Sequence, residues 1–427
     1  MSLDLARQYS GLFRRRGARR FFRFAHDVVQ SGKVRELTSF VIWEMLHQLR
    51  WYPQSRYIRF TGSSPISLDR QAPGSPGFDA EVAANFEGRG LVARRCANNW
   101  KLLTTNDRNE ICGCLYPDDH NLYRSADGGA SVELVRWFPE KIKAVFISSR
   151  GTIFVCVMGS VYRSQDNGAS FLRTLDFASP QSFFRFNNAM TESPGHTLVV
   201  GEYGNVWDGD AWRDLAYLYF SADDGQTWEK SNYLIQQGVN KHVHLVKYSR
   251  LLDRLLVADG DNYKKLWLSG PLDALDFSNP QFTPVNRLHV QVGGYTSAAE
   301  SGEKILLGTA YRGGTNFIVT TADGAKYVKR IVPDPYRRSP IDDMVLRRSK
   351  HGTEVWANLP FSTANTKSLL MYTADEGETW HRAIEYDSTA HKVWLLNSSD
   401  GLPETLYFSV QDLRDNTRVV YQVSDKS

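Results

Sequence analysis

Ser221-Ala222-Asp223-Asp224-Gly225-Gln226-Thr227-Trp228 and Thr373-Ala374-Asp375-Glu376-Gly377-Glu378-Thr379-Trp380 are two copies of one phrase: a hydroxyl residue, then Asp, Gly and an aromatic. Further copies stand at Ser125-Ala126-Asp127-Gly128-Gly129-Ala130-Ser131 and Ser164-Gln165-Asp166-Asn167-Gly168-Ala169-Ser170-Phe171, with an abbreviated one at Thr321-Ala322-Asp323-Gly324. Each follows a strand-like run, such as Tyr217-Leu218-Tyr219-Phe220 or Leu369-Leu370-Met371-Tyr372. Two more copies, Leu266-Trp267-Leu268-Ser269 and Val419-Val420-Tyr421-Gln422-Val423-Ser424-Asp425, keep the strand and lose the turn. Aligning positions 125, 164, 221, 269, 321, 373 and 424 gives steps of 39, 57, 48, 52, 52 and 51 residues. A step of roughly fifty suits a four-stranded propeller blade. Seven repeats therefore predict an all-β, seven-bladed β-propeller, with six blades as the alternative if the weak copies belong to insertions.

The phrase reads as a hairpin clip. Gly reverses the chain where positive φ is needed, while the Asp carboxylate and the Ser or Thr hydroxyl accept hydrogen bonds from turn amides. The following aromatic can pack on the neighbouring blade. The phrase resembles the Asp-box, or BNR repeat, of the sialidase superfamily of β-propellers. That resemblance implies that the boxes lie on the face away from the active site, so none of their aspartates is expected to be catalytic.

The N-terminal residues have a different texture. Leu3, Leu5, Tyr9, Leu12 and Phe13 recur at helical spacing, as do Val41, Ile42, Met45, Leu46 and Leu49, which predicts helix over residues 3–52 broken near Gly32 and Lys33. Residues 1–60 hold 12 Lys or Arg against 4 acids, whereas the rest of the chain holds 39 against 43. The excess is concentrated at Arg14, Arg15, Arg16, Arg19, Arg20 and Arg23, interleaved with Phe21, Phe22 and Phe24. Such a segment suits either a solvated Arg face on a helix packed against the propeller or an anionic membrane surface. Nucleic acid is disfavoured, because the charge is confined to one short arm without a recognition motif.

The domain reading is a helical basic arm over residues 1–55 and a propeller over residues 56–427. The segment from Gly62 to Gly77, rich in Ser, Pro and Gly, reads as an exposed loop. The chain stops at Ser427, just past the third strand of its last repeat, so a strand near Tyr57–Phe60 or Leu91–Arg95 is expected to complete that blade and close the ring.

The 11 Trp, 20 Tyr and 22 Phe suit packed sheets and platforms for sugar rings. Cys96, Cys112, Cys114 and Cys156 have neither a zinc spacing nor the density of a disulfide scaffold, which predicts reduced structural thiols. No apolar core follows the Arg-rich stretch and no segment approaches the roughly twenty apolar residues of a membrane span. The expectation is a cytoplasmic chain, with a peripheral inner-membrane location as a variant.

Three polar segments fall on the face opposite the clips. Gly201-Glu202-Tyr203-Gly204-Asn205 follows the apolar strand 197–200, Lys241-His242-Val243-His244 begins an inner strand, and Asp259-Gly260-Asp261-Asn262 ends the next apolar strand. The imidazoles of His242 and His244 share a face, because side chains alternate along a strand. His242, His244, Asp259 and Asp261 together have the ligand chemistry of a divalent metal site, zinc, manganese or iron. Alternatively, Glu202, Tyr203, His242, His244 and Asp261 supply acid–base chemistry, with Arg185, Asn205, Tyr311 and Arg312 binding an acidic sugar. The order Gly-Glu-Tyr-Gly, clip, His-x-His, Gly-Asp looks like a narrower group of prokaryotic BNR propellers of undefined activity, over residues 197–320. Where that group tends to have Gly-Thr-Asp, this chain has Gly308-Thr309-Ala310.

Sialidase chemistry itself is disfavoured. The early string Tyr57-Ile58-Arg59-Phe60 lacks the proline of the phrase that family carries, and Glu202 and Tyr203, being adjacent on a strand, point to opposite faces. Some propeller polysaccharide lyases, such as ulvan lyases, implicate a His–Tyr pair with an arginine. The sequence thus points to a propeller that binds and cleaves an acidic polysaccharide or glycan as a glycosidase or lyase, or else to a non-catalytic glycan-binding or scaffold protein of polysaccharide assembly.

Overall fold

The computed structural model describes residues 18–426 apart from 31–33, 50, 63, 70–72, 107–109, 210–211, 240, 260–263, 286–293, 364 and 399–400. Seven four-stranded antiparallel blades form a ring, a seven-bladed β-propeller; the four strands are consecutive in six of them, and blade 6 gains two short parallel strands at its rim. The innermost strands are Trp100–Thr105, Ala144–Ile147, Met190–Glu192, Val243–Ser249, Tyr295–Ser301, Asp343–Ser349 and His391–Leu395 in blades 1 to 7.

The core explains the count. Blades bury their apolar faces only against each other, and one cluster of buried side chains lies at each of the seven junctions. Trp100, Leu103 and Ile111 of blade 1, for example, meet Leu396, Tyr407 and Val420 of blade 7. The ring is closed by Leu91–Arg95, the outermost strand of blade 7, paired antiparallel with Arg418–Asp425. The other candidate closing segment has a different partner: Arg59–Thr61 runs parallel to Thr379–Tyr386 at the rim of blade 6.

The clips have nearly identical geometry in four blades. In blade 3 the Ser221 hydroxyl donates to Asp223 Oδ1 at 2.8 Å and accepts the Gly225 amide at 2.8 Å, while Thr227 Oγ1 donates to Asp223 Oδ2 at 2.6 Å. The Ser125–Asp127, Ser164–Asp166 and Thr373–Asp375 pairs repeat the hydroxyl-to-carboxylate bond at 2.8 Å each. The abbreviated copy is looser, with Thr321 Oγ1 3.4 Å from Asp323 Oδ1. Gly225 is required twice over: its φ is +78° and a Cβ there would meet Phe154 at 2.3 Å. The Trp228 ring packs edge-on against that same Phe154 of blade 2, centroids 6.3 Å apart, so the clip also fastens neighbouring blades.

The stretch read as an exposed loop is partly built into the fold. Ile66 and Leu68 are buried, and Ile66–Ser67 pairs parallel with blade 6. A helix follows at Pro76–Glu87, with the Ser75 hydroxyl accepting the Phe78 amide at 3.2 Å and proline in the first turn. Phe78, Val82 and Phe86, spaced by four, cap the junction of blades 6 and 7. The Gly, Ser and Pro content masked this capped, apolar-periodic segment.

In the arm, helices span Ala18–Gln30 and Val34–Gln48. Gly32, Lys33 and the stretch from Leu3 to Phe13 lie outside the described residues, as do Arg14, Arg15 and Arg16. No helix among the described residues is long and apolar enough to cross a membrane. Cys112, Cys114 and Cys156 are buried and Cys96 partly so; burial pushes all four thiols up to about 12, which suppresses the reactive thiolate.

Candidate functional site at the channel mouth

The clip hairpins join third to fourth strands, so the loops joining second to third strands, and those leading into each innermost strand, open on the other face. Four such segments converge: Arg185–Asn188 before blade 3, Tyr203–Asn205 after its second strand, His242–His244 at the start of blade 4, and Asp342–Asp343 at the start of blade 6.

Tyr203 lies at the centre. Its backbone pairs with Phe183, the amide of each donating to the carbonyl of the other at 2.8 and 2.9 Å. Its ring centroid lies 4.1 Å from His242 and 5.9 Å from His244. The Arg185 guanidinium stands 5.8 Å over the same ring, within cation–π range, and the Asn205 amide donates to the phenol oxygen at 3.3 Å. The two imidazoles are joined through Nε2 to Nε2 at 2.9 Å. His242 Nδ1 donates to the Gly204 carbonyl at 2.7 Å, because a carbonyl can only accept. With both rings neutral, His242 Nε2 then carries the lone pair and His244 Nε2–H donates to it. Both rings are buried.

On the other side of Arg185 are two consecutive carboxyls. The Asn188 amide donates to Asp343 Oδ1 and to the Asp342 carbonyl, each at 3.2 Å. Burial raises the Asp343 carboxyl to about 6; the charge of Asp342 adds to this, while Arg185 and the Asn188 hydrogen bond oppose it. Burial raises Asp342 too, against the charges of Arg185 and Arg312. Arg312 is exposed, its guanidinium 4.8 Å over the Phe361 ring. Arg185 therefore couples the Tyr–His stack to the acidic pair, and Arg312 reaches Asp342 from blade 5.

One predicted catalyst, Glu202, and one predicted metal ligand, Asp259, are placed elsewhere. Glu202 is buried in the wall, accepting from the Tyr219 hydroxyl at 2.6 Å and from the amides of Ala178 and Ser179 at 3.1 and 3.3 Å. This follows from strand alternation: with Tyr203 facing the mouth, Glu202 must face inward. Asp259 is likewise buried, accepting from Trp267 Nε1 at 2.9 Å and the Lys265 amide at 3.1 Å, and burial raises its carboxyl to about 7. Both carboxylates tie strand ends together. Asp261 lies outside the described residues. Among the described residues no three His, Cys, Asp or Glu side chains are grouped as a metal would need, so His242, His244 and Asp259 do not form a ligand set. Tyr311 sits at the end of blade 5's second strand, where its amide donates to Asn316 Oδ1 at 2.7 Å and Lys264 lies 5.8 Å over its ring.

The sequence reading missed Asp342, Asp343 and Asn188. Asp342-Asp343 stands immediately before an apolar alternating strand, the same context that drew attention to His242 and His244, but no clip-based landmark singles it out. Beside the mouth, the loop after Tyr203 carries Trp207 and Trp212, backbone-paired with centroids 5.2 Å apart; Lys241 lies 4.7 Å over Trp212.

No known family model matches the chain, and no curated protein matches it. Among solved structures it is similar to a catalytically inactive variant of virginiamycin B lyase from Staphylococcus aureus with quinupristin, at 12% identity and a TM-score of 0.52, over 78% of this chain and 98% of that one. A streptogramin B lyase gives 12% identity and a TM-score of 0.51, covering 78% and 97%. A chain of the mitotic checkpoint complex gives 13% identity and a TM-score of 0.50, covering 78% and 94%. These likenesses show the propeller fold, which is shared by lyases and by a chain of the mitotic checkpoint complex.

Proposed function

We propose that this propeller, a divergent Asp-box relative, binds an acidic glycan at the channel mouth and cleaves it by acid–base elimination at a uronic acid. The observation that carries this reading is the position of Arg185, over the Tyr203 ring and within electrostatic reach of Asp342 and Asp343. Arg185 and Arg312 hold the sugar carboxylate. The His242–His244 pair takes the proton from the carbon bearing that carboxylate, and the electron pair forms the new double bond as the neighbouring carbon–oxygen bond breaks. Tyr203 donates its proton to the leaving oxygen and recovers one from the imidazole pair. Asp343, protonated up to about 6, donates a hydrogen bond to the carboxylate as charge builds on it, the use to which a buried neutral carboxyl is suited.

Incubation with a panel of polyuronates tests the reading: unsaturated-uronate absorbance should rise together with reducing ends. Reducing ends without absorbance would replace elimination by hydrolysis. The exposed Trp207 beside Trp212 and Lys241 favours a second reading, glycan binding without turnover, in which both signals stay silent while binding is retained.

A further inference from the structure

Eight of the sixteen exposed large hydrophobic side chains among the described residues lie between Phe22 and Trp51. Within the second arm helix, Val34, Val41, Met45 and Leu49 recur at helical spacing, so they share one exposed side, with Ile42 beside them. A different side of the same helix is fixed to the propeller. Glu44 accepts from Arg337 at 2.5 and 3.1 Å and from Arg338 at 2.9 Å, and His47 Nε2 lies 2.7 Å from Asp334 Oδ2. Arg337 is almost wholly buried in this contact. The loop so gripped leads into Asp342 and Asp343, and Arg338 also donates to the Gly313 carbonyl, next to Arg312, at 3.0 Å. The arm therefore sits on the same face as the mouth and turns an apolar side outward.

We infer that the arm is a membrane-surface foot for anionic lipid, which turns the channel mouth toward the bilayer. Charge decides between occupants. The first 60 residues carry 12 basic residues against 4 acidic ones, so a second arm of the same chain would repel this one. An anionic lipid surface satisfies the arginines and takes the apolar side chains into its headgroup region at once. This inference is independent of whether the mouth cleaves, binds or ignores glycans.

The test uses the full chain and sedimentation with vesicles of phosphatidylcholine alone or with about a third phosphatidylserine. The native chain should bind only the anionic vesicles, and more weakly as salt is raised. Arg19→Gln/Arg20→Gln/Arg23→Gln and Ile42→Asp/Met45→Asp should each weaken binding on the order of a hundredfold. Ile42 and Met45 are exposed, so an unchanged melting temperature identifies a folded variant. Equal binding to both lipids, no binding to either, unaltered binding by the folded variants, or a salt-stable dimer that excludes vesicles would overturn the inference.

Discussion

Between about pH 2 and 6 the two faces of the ring hold the same side chain in opposite electrical states. On the clip face Asp166 is held at about 2 by the Ser170 hydroxyl, the Ser170 amide and the Ser164 hydroxyl, all donating to an ionised carboxylate in contact with water. On the mouth face Asp343 is held at about 6, because packing strips its water and supplies one amide donor and one guanidinium to share with Asp342. The difference lies in donor supply: a carboxylate given three local donors becomes a structural rivet, whereas one given burial and a like-charged neighbour keeps its proton to a higher pH. The clip aspartates thus serve folding, and the mouth aspartates are the ones that the proposed elimination uses.

The comparison can be broken hardest at Arg185. Arg185→Gln should lower turnover about a thousandfold, ~4 kcal/mol of transition-state stabilisation, with little change in melting temperature. The same variant should move the fall of the rate to higher pH, because the positive charge opposing protonation of Asp343 is gone. A pH profile of kcat/KM checks both: the native rate declines as pH rises through about 6, the variant's later.

On the clip face Gly225→Ala should cost about 2–3 kcal/mol, from the positive φ and the contact with Phe154, read as a lowered urea midpoint. Turnover per folded molecule should be unchanged. Asp223→Asn should cost less, about 1–2 kcal/mol, because the amide cannot accept all the bonds that Ser221 and Thr227 donate.

The smallest effects are in the pH dependence of stability, where the faces should differ in sign. Asp166 is depressed in the fold, so its contribution is complete above the unfolded value of about 4 and is lost as pH falls through about 2. Asp343 is raised, so its contribution is complete below about 4 and is lost as pH rises through about 6. Melting temperatures from pH 2 to 8 should show Asp343→Asn removing only the loss on the alkaline side and Asp166→Asn only that on the acid side.

This contrast also explains what could be seen in the sequence. The clip is made of residues within seven positions of one another, so its chemistry is written in a local phrase and its repetition gave the blade count. The mouth is assembled from Arg185, Tyr203, His242, Arg312 and Asp342, which only the ring brings together. Local pattern found Tyr203 and the two histidines because a strand end is recognisable, yet it also selected Glu202 and Asp259, whose burial depends on which way each strand faces. Asp342 and Asp343 were missed because their importance comes from Arg185, over 150 residues earlier in the chain. The helix at Pro76–Glu87 was legible in its Ser75-Pro76 start and its four-residue apolar spacing, and was obscured by the glycines and prolines before it.

The most direct measurement is calorimetric titration of a uronate oligosaccharide into the native protein, Arg185→Gln and Asp223→Asn. Binding by the native protein and Asp223→Asn, with at least a tenfold loss in Arg185→Gln, is the result expected if function belongs to the mouth and the clips only hold the ring. Equal affinity in all three proteins, or loss on changing Asp223 alone, would contradict it.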